Sequence, residues 1–236
     1  VSEPVEPVEV VTPPVPAGRR RTVLMDFDGV IVREDSLGQF LRHHLARAPW
    51  RIPGVTASLY AAAPLMGPAP LRPHGLRLIV RSLLAGWSMR SYEERATTFG
   101  ARLAARDGAL LRGGLTAARV HLDRGDRLVV VTGSEGTLAR AILDAAGLGE
   151  AELVASRVGP RPGGLGLEVH NYGAAKVVQL ASHGIDPPWD VAYSDSLSDL
   201  PMLGGARRPV LVGGGARALT RARAVLGPAV VQVHWP

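Results

Sequence analysis

From Thr22 onward, short apolar runs alternate with amphipathic segments, and no other feature narrows the fold as far. The stretches "TVLMDF", "RLVVVTG", "AELVASRV", "WDVAYSD" and "RPVLVG" read as buried strands, with "AVVQVHW" as a last edge strand. Between most of them lie helical segments, "LTAARVHLDRG", "GTLARAILDAAG", "AAKVVQLASHG" and "ARALTRARAVLG", several of which stop on glycine. Strands that alternate with helices predict an α/β fold: a mostly parallel sheet with helices on both faces.

Within this Rossmann-like three-layer sandwich two irregularities stand out. "GPRPGGLGLEVH" reads as a hairpin after the third strand, because Pro-Gly-Gly separates two short apolar runs. Between the first and second strands lie roughly a hundred residues with helical periodicity, far too many for a simple connection. Residues 36–114 are therefore expected to form a helical insert over the sheet, and 21–35 with 115–236 the core. The Pro- and Glu-rich residues 1–20 read as a disordered tail without the pattern of a secretory signal.

In open α/β sheets ligands bind beyond the carboxyl ends of the strands. The residues at those ends are Asp26 and Asp28 after the first strand, Thr132, Gly133 and Ser134 after the second, and Asp195 and Asp199 after the fourth. Lys176, the only lysine beside twenty-six arginines, opens the helix before that fourth strand. Arginine and lysine are interchangeable on a wet surface but not where a compact ammonium must fit a tight site. Converging carboxylates resist ionisation unless a cation separates them, and oxygen donors of this kind suit Mg²⁺.

Composition removes several alternatives. The chain has no cysteine, which excludes disulfides, thiolate zinc sites and cysteine nucleophiles. A net charge of +6 fits an anionic partner, yet aromatic residues are only 5% and no basic stretch is interleaved with them, so no nucleic-acid partner is expected. "TGSEG" lacks the spacing of a nucleophile elbow, and too little chain follows "GGGARA" for a dinucleotide-binding unit.

These residues, in this order, resemble the four motifs of the haloacid dehalogenase superfamily: "DFDGV", Thr132, Lys176 and "SDSLSD". The similarity spans about 22–235. It implies a Mg²⁺-dependent phosphomonoester hydrolase in which Asp26 is the nucleophile, Asp28 the general acid and base, and Lys176 the bridge to the phosphoryl group. Asp26, the backbone carbonyl of Asp28, and Asp195 would hold the metal, with Asp199 supporting its water shell. Thr132, Gly133 and Ser134 would hold phosphoryl oxygens. The same motifs also serve phosphoryl transferases and mutases, and the fold can persist in a catalytically idle anion- or membrane-binding protein.

The insert after the first motif is similar to the C1-type cap of the type IB group, which includes phosphoserine phosphatase. The chain departs from the phosphoserine enzymes where they usually carry Gly before the fourth-motif Asp and Asn two before the last one; here stand Ser194 and Leu197, Ser198. Asp35 takes roughly the place of a substrate-reading acid, with Glu34 as its rival. The insert carries eleven arginines against three acids between Ser36 and Gly113, beside the uncharged run "IPGVTASLYAAAPLMGPAPL". Four prolines and two glycines argue against a membrane span there. The expected substrate is thus a phosphorylated small molecule or a lipid phosphate, and the expected location cytoplasmic with peripheral membrane contact.

Overall fold

The structure, a computed structural model, describes residues 19–66 and 72–235. The tail expected over 1–20 falls outside the described residues except for Arg19 and Arg20, which bond to Asp190 and to the Gly125 carbonyl.

The elements follow in the order β1 (Thr22–Met25), α1 (Ser36–Ala46), α2 (Ile52–Met66), α3 (Arg72–Leu83), α4 (Met89–Ala104), α5 (Arg112–Asp123), β2 (Arg127–Glu135) and α6 (Gly136–Ala145). The second half adds β3 (Glu152–Arg161), β4 (Gly164–Val169), α7 (Ala174–Ser182), β5 (Trp189–Ser194), α8 (Leu200–Gly204), β6 (Ala206–Val212), α9 (Ala216–Leu226) and β7 (Val231–Val233). The strands form one sheet in the order β4-β3-β2-β1-β5-β6-β7. All neighbours are parallel except β4, which folds back on β3 as the expected hairpin.

The central strands are buried on both faces, as continuous Val and Leu runs require. Val23, Met25, Val130 and Val191 pack on one side of the sheet with Leu138 and Ile142 of α6. Leu24, Val129 and Ala192 pack on the other with Leu180 of α7 and Met202 of α8. Trp189 on β5 fills the space left by Gly205, where an added Cβ would lie 2.2 Å from the indole.

Helices α1 to α4 are the insert between β1 and α5. Phe40 of α1, Val80 of α3, and Tyr92, Ala96 and Leu103 of α4 join the same core as α6. Gly100 lets α4 approach α6 closely, since a Cβ there would stand 2.8 Å from that of Ala141. The end of α3 is tied to the hairpin through Gly86 N–H to the Gly163 carbonyl (2.8 Å) and Leu165 N–H to the Leu84 carbonyl (3.3 Å).

The first part of the proline-rich run forms α2. Pro53 sits in the first turn, where no intrahelical N–H is needed, and Pro64 lies inside the helix, in its last turn. No helix among the described residues is long and apolar enough to cross a membrane.

Candidate active site

The first strand ends in a tight loop that throws two carboxylates outward. Asp26 N–H still donates to the Tyr193 carbonyl on β5 (2.9 Å), so its backbone belongs to the sheet. The Phe27 carbonyl then receives the N–H groups of Ile31 (2.8 Å) and Val32 (2.9 Å). Gly29 makes the reversal at φ +79°, and a Cβ there would stand 2.1 Å from Asp195 Oδ2. The missing side chain is what lets the Asp195 carboxylate lie against the loop of Asp26 and Asp28.

Lys176, in the first turn of α7, reaches across under the sheet edge. Its Nζ lies 2.7 Å from Asp26 Oδ1 and 2.6 Å from Asp199 Oδ2, with all three side chains buried. Ser194 ends β5 between the two acids; its hydroxyl bonds Asp199 Oδ2 at 2.8 Å and lies 3.4 Å from Asp26 Oδ2. Asp26 Oδ1 also accepts the Phe27 N–H (2.8 Å). Oδ2 is therefore the less committed oxygen of the pair.

Asp28 is held differently. Its Oδ1 accepts the N–H of Ser36 (2.9 Å), the first residue of the insert, while the Ser36 hydroxyl bonds that of Ser134 (2.8 Å) at the end of β2. Burial pushes the Asp28 carboxyl up to about 6, against the opposing Ser36 hydrogen bond. Burial likewise raises Asp26, opposed by the charge of Lys176, and raises Asp195. Burial pulls Lys176 down, but the charges of Asp26 and Asp199 outweigh it and hold the ammonium above its ordinary value. The site thus keeps a charged lysine beside carboxyls of unequal acidity.

These groups face a cavity of about 500 Å³ between the strand ends and the insert. Asp26, Asp28, Gly133, Ser134, Lys176, Asp195 and Asp199 line its floor, and Leu37, Leu41, Leu76 and Ile79 of α1 and α3 line its roof. Asp35 lines it too, although its Oδ1 is engaged in capping α1 through Gly38 N–H (3.0 Å). Thr132 lies just beneath the wall, fully buried, its Oγ1 accepting the Ser134 N–H (2.9 Å) and so fixing the loop that presents Gly133 and Ser134.

The donor set fits a hard cation. Asp26 and Asp195 would supply carboxylate oxygens and the Asp28 backbone a carbonyl, and the missing side chain at Gly29 leaves room for the Asp195 group. Among the described residues the buried Asp199 Oδ1 has no hydrogen-bond partner, leaving an oxygen able to receive a hydrogen bond from a water. Among the described residues no three His, Asp or Glu side chains converge as a metal-holding cluster.

Two supporting residues, Ser36 and Asn171, carried no readable signal in the sequence, and Ser194 stood out only as a serine where the phosphoserine enzymes usually carry Gly. The fold sets both serines against carboxylates. Asn171 donates through Nδ2 to the carbonyls of Thr132 (3.0 Å) and Val154 (2.9 Å), joining the β2 end to the loop before Lys176.

Solved structures share this arrangement of strands and helices. A protein of unknown function from Bordetella pertussis Tohama I is 22% identical, with a TM-score of 0.50 over 90% of this chain and 98% of its own. A phosphoserine phosphohydrolase-like protein from Francisella tularensis subsp. tularensis SCHU S4 is 15% identical, with a TM-score of 0.55 over 82% and 87%. A substrate-bound phosphoserine phosphatase is 17% identical, with a TM-score of 0.55 over 90% and 93%. At these identities the likeness is one of fold. No curated protein sequence matches the chain. The profile of haloacid dehalogenase-like hydrolases, however, matches residues 23–204, which include every strand-end carboxylate and the buried lysine, and the chain belongs to that family.

Proposed function

We propose that the protein hydrolyses phosphomonoesters through a phosphoaspartyl intermediate on Asp26. The observation that carries this reading is the pairing of two unlike carboxyls in one cavity. Asp26 is held beside Lys176, and Asp28, with its pKa near 6, is hydrogen-bonded to the insert. A group of that acidity can give and take a proton near neutral pH.

In the first displacement an Asp26 oxygen attacks phosphorus, the bond from phosphorus to the leaving oxygen breaks, and Asp28 transfers its proton to that oxygen. In the second, water attacks the phosphoaspartyl phosphorus, Asp28 takes the water's proton, and inorganic phosphate and the Asp26 carboxylate are regenerated. Splitting a difficult hydrolysis into two displacements is the advantage of a covalent route. Lys176 and the Gly133 amide would meet phosphoryl oxygens as charge develops, the Ser134 amide being already bonded to Thr132 Oγ1. A Mg²⁺ ion held by Asp26, the Asp28 carbonyl and Asp195 would supply electrostatic neutralisation of the phosphoryl group. Asp199 fixes Lys176 in place, Thr132 shapes the phosphate loop, and helices α1 to α4 act as the cap.

The substrate is a phosphorylated small molecule, with Asp35 and the aliphatic roof of the cavity meeting the leaving group. The test is phosphate release from a panel of phosphoamino acids, sugar phosphates, nucleotides and lipid phosphates, with and without Mg²⁺, by wild type and Asp26→Asn. Release by wild type alone is expected; equal release by Asp26→Asn would remove Asp26 from the chemistry.

A further inference from the structure

Helix α2 has no charged residue along its fifteen positions. Val55 and Ala62 are buried and Ser58 and Leu65 half-buried, a spacing that turns one stripe toward the protein. Among the described residues nothing covers the opposite side. Ile52 and Leu59 are about half exposed, and Tyr60 and, in the turn just before the helix, Trp50 are 78% and 75% exposed. Seven large apolar side chains are exposed among the described residues, and these four fall within eleven positions of one another, whereas Tyr172, Val178 and Val225 are scattered.

Beside the start of this helix lies a second cavity of about 390 Å³, walled by Trp50, Trp87 and Leu45 and by Arg47, Arg51 and Arg95. Among the described residues no carboxylate lines it. Among the described residues none of the three arginines forms an ion pair. The Arg95 guanidinium lies over the Trp87 ring at 4.5 Å, and Arg51 donates to the Leu83 carbonyl at 3.0 Å. Arg51, half-buried, and Arg95, exposed, are thereby held at the cavity wall.

An uncharged helix with Trp and Tyr on its outer side, next to unpaired arginines, is what an anionic bilayer surface accommodates. The apolar side enters the boundary of the acyl chains, the aromatic rings sit at headgroup depth, and the cations meet lipid phosphate. A second copy of the chain is a poorer occupant, because a two-fold contact through α2 would set the same cationic surface on both sides. We propose that α2 and the turn before it dock the protein on an anionic lipid bilayer, with a lipid phosphate entering the cavity of Arg47, Arg51 and Arg95. Docking does not depend on the catalytic reading, and its test reads binding rather than turnover.

The test is sedimentation of the full chain with vesicles of phosphatidylcholine alone and of phosphatidylcholine with phosphatidylglycerol, at low and high salt. The variants are Leu59→Glu with Tyr60→Glu, and Arg51→Gln with Arg95→Gln, each checked for native thermal unfolding. Binding to the anionic vesicles, weakened by salt and at least tenfold by either double variant, is expected. No binding to anionic vesicles at low salt overturns the proposal, and so does equal binding to phosphatidylcholine alone. Light scattering that shows a dimer broken by Leu59→Glu with Tyr60→Glu, without vesicle binding, assigns the face to a second copy. Binding of soluble glycerol phosphate without vesicle binding would make the cavity a site for free phosphate esters and likewise reject the bilayer.

Discussion

Lys176 Nζ is shared between Asp26 Oδ1 at 2.7 Å and Asp199 Oδ2 at 2.6 Å, so one buried ammonium serves two buried carboxylates. Removing it strands both acids. For Lys176→Met we expect a stability loss of about 3–5 kcal/mol, the usual consequence of breaking a buried pair, with protonation of Asp26 moving the value toward the lower end. Urea unfolding near pH 7 measures it. Lys176→Arg should restore part of the stability but not phosphate release, because a planar guanidinium cannot occupy the ammonium's place between two oxygens.

Asp28→Asn keeps the shape of the loop and can still accept the Ser36 N–H, but it cannot move a proton. Its effect should therefore depend on the leaving group. With an alkyl phosphate we expect kcat to fall by about 10²–10⁴-fold. With p-nitrophenyl phosphate, whose phenolate leaves without a proton, the first displacement should be spared and a burst of nitrophenolate should precede slow turnover. Equal loss with both substrates and no burst would argue that Asp28 acts through structure alone.

Much of this site was legible because strand ends are legible. A short apolar run such as "TVLM" reads as a buried strand and the residue after it as its carboxyl end, which singles out Asp26 and Asp195 without any contact information. The pairing of Lys176 with both acids was not legible, since it depends on α7 returning beneath β5. Nor was Ser194: sequence shows only that a serine stands where a glycine is usual, and only the fold shows its hydroxyl against Asp199. The division of labour on the second strand also escaped the sequence. Thr132 lies at the predicted end, yet the chain continues in extended form to Glu135, which caps α6 through the N–H of Thr137 (2.9 Å), so Gly133 and Ser134 rather than Thr132 line the cavity.

Gly29 joins backbone and site. Gly29→Ala meets two obstacles, a left-handed φ of +79° and the Asp195 carboxylate in the space its Cβ would need. The backbone penalty is about 1–2 kcal/mol. The displaced carboxylate should weigh more heavily on activity, and we expect kcat/KM to fall at least tenfold while the variant remains folded. Circular dichroism and phosphate release separate the two effects, and an intact rate would show that Asp195 is not needed where the structure puts it.

His44 makes the fold sensitive to acid. Its ring packs edge-on against Phe40 and Trp87, with centroids 4.7 and 5.2 Å away, and its buried Nε2 has no hydrogen-bond partner among the described residues. Burial first, and then His43, Arg95 and Arg47, lower its pKa to about 4. An unfolded histidine titrates near 6.5. Between these values the unfolded chain binds a proton that the folded chain refuses, so this contribution to stability is complete above about pH 6.5 and is lost as the pH falls to about 4. Phenylalanine keeps the aromatic packing and removes the titration. His44→Phe should therefore lose less thermal stability than wild type on going from pH 7 to pH 4.5, and parallel declines would show that the ring accepts its proton freely in the folded state.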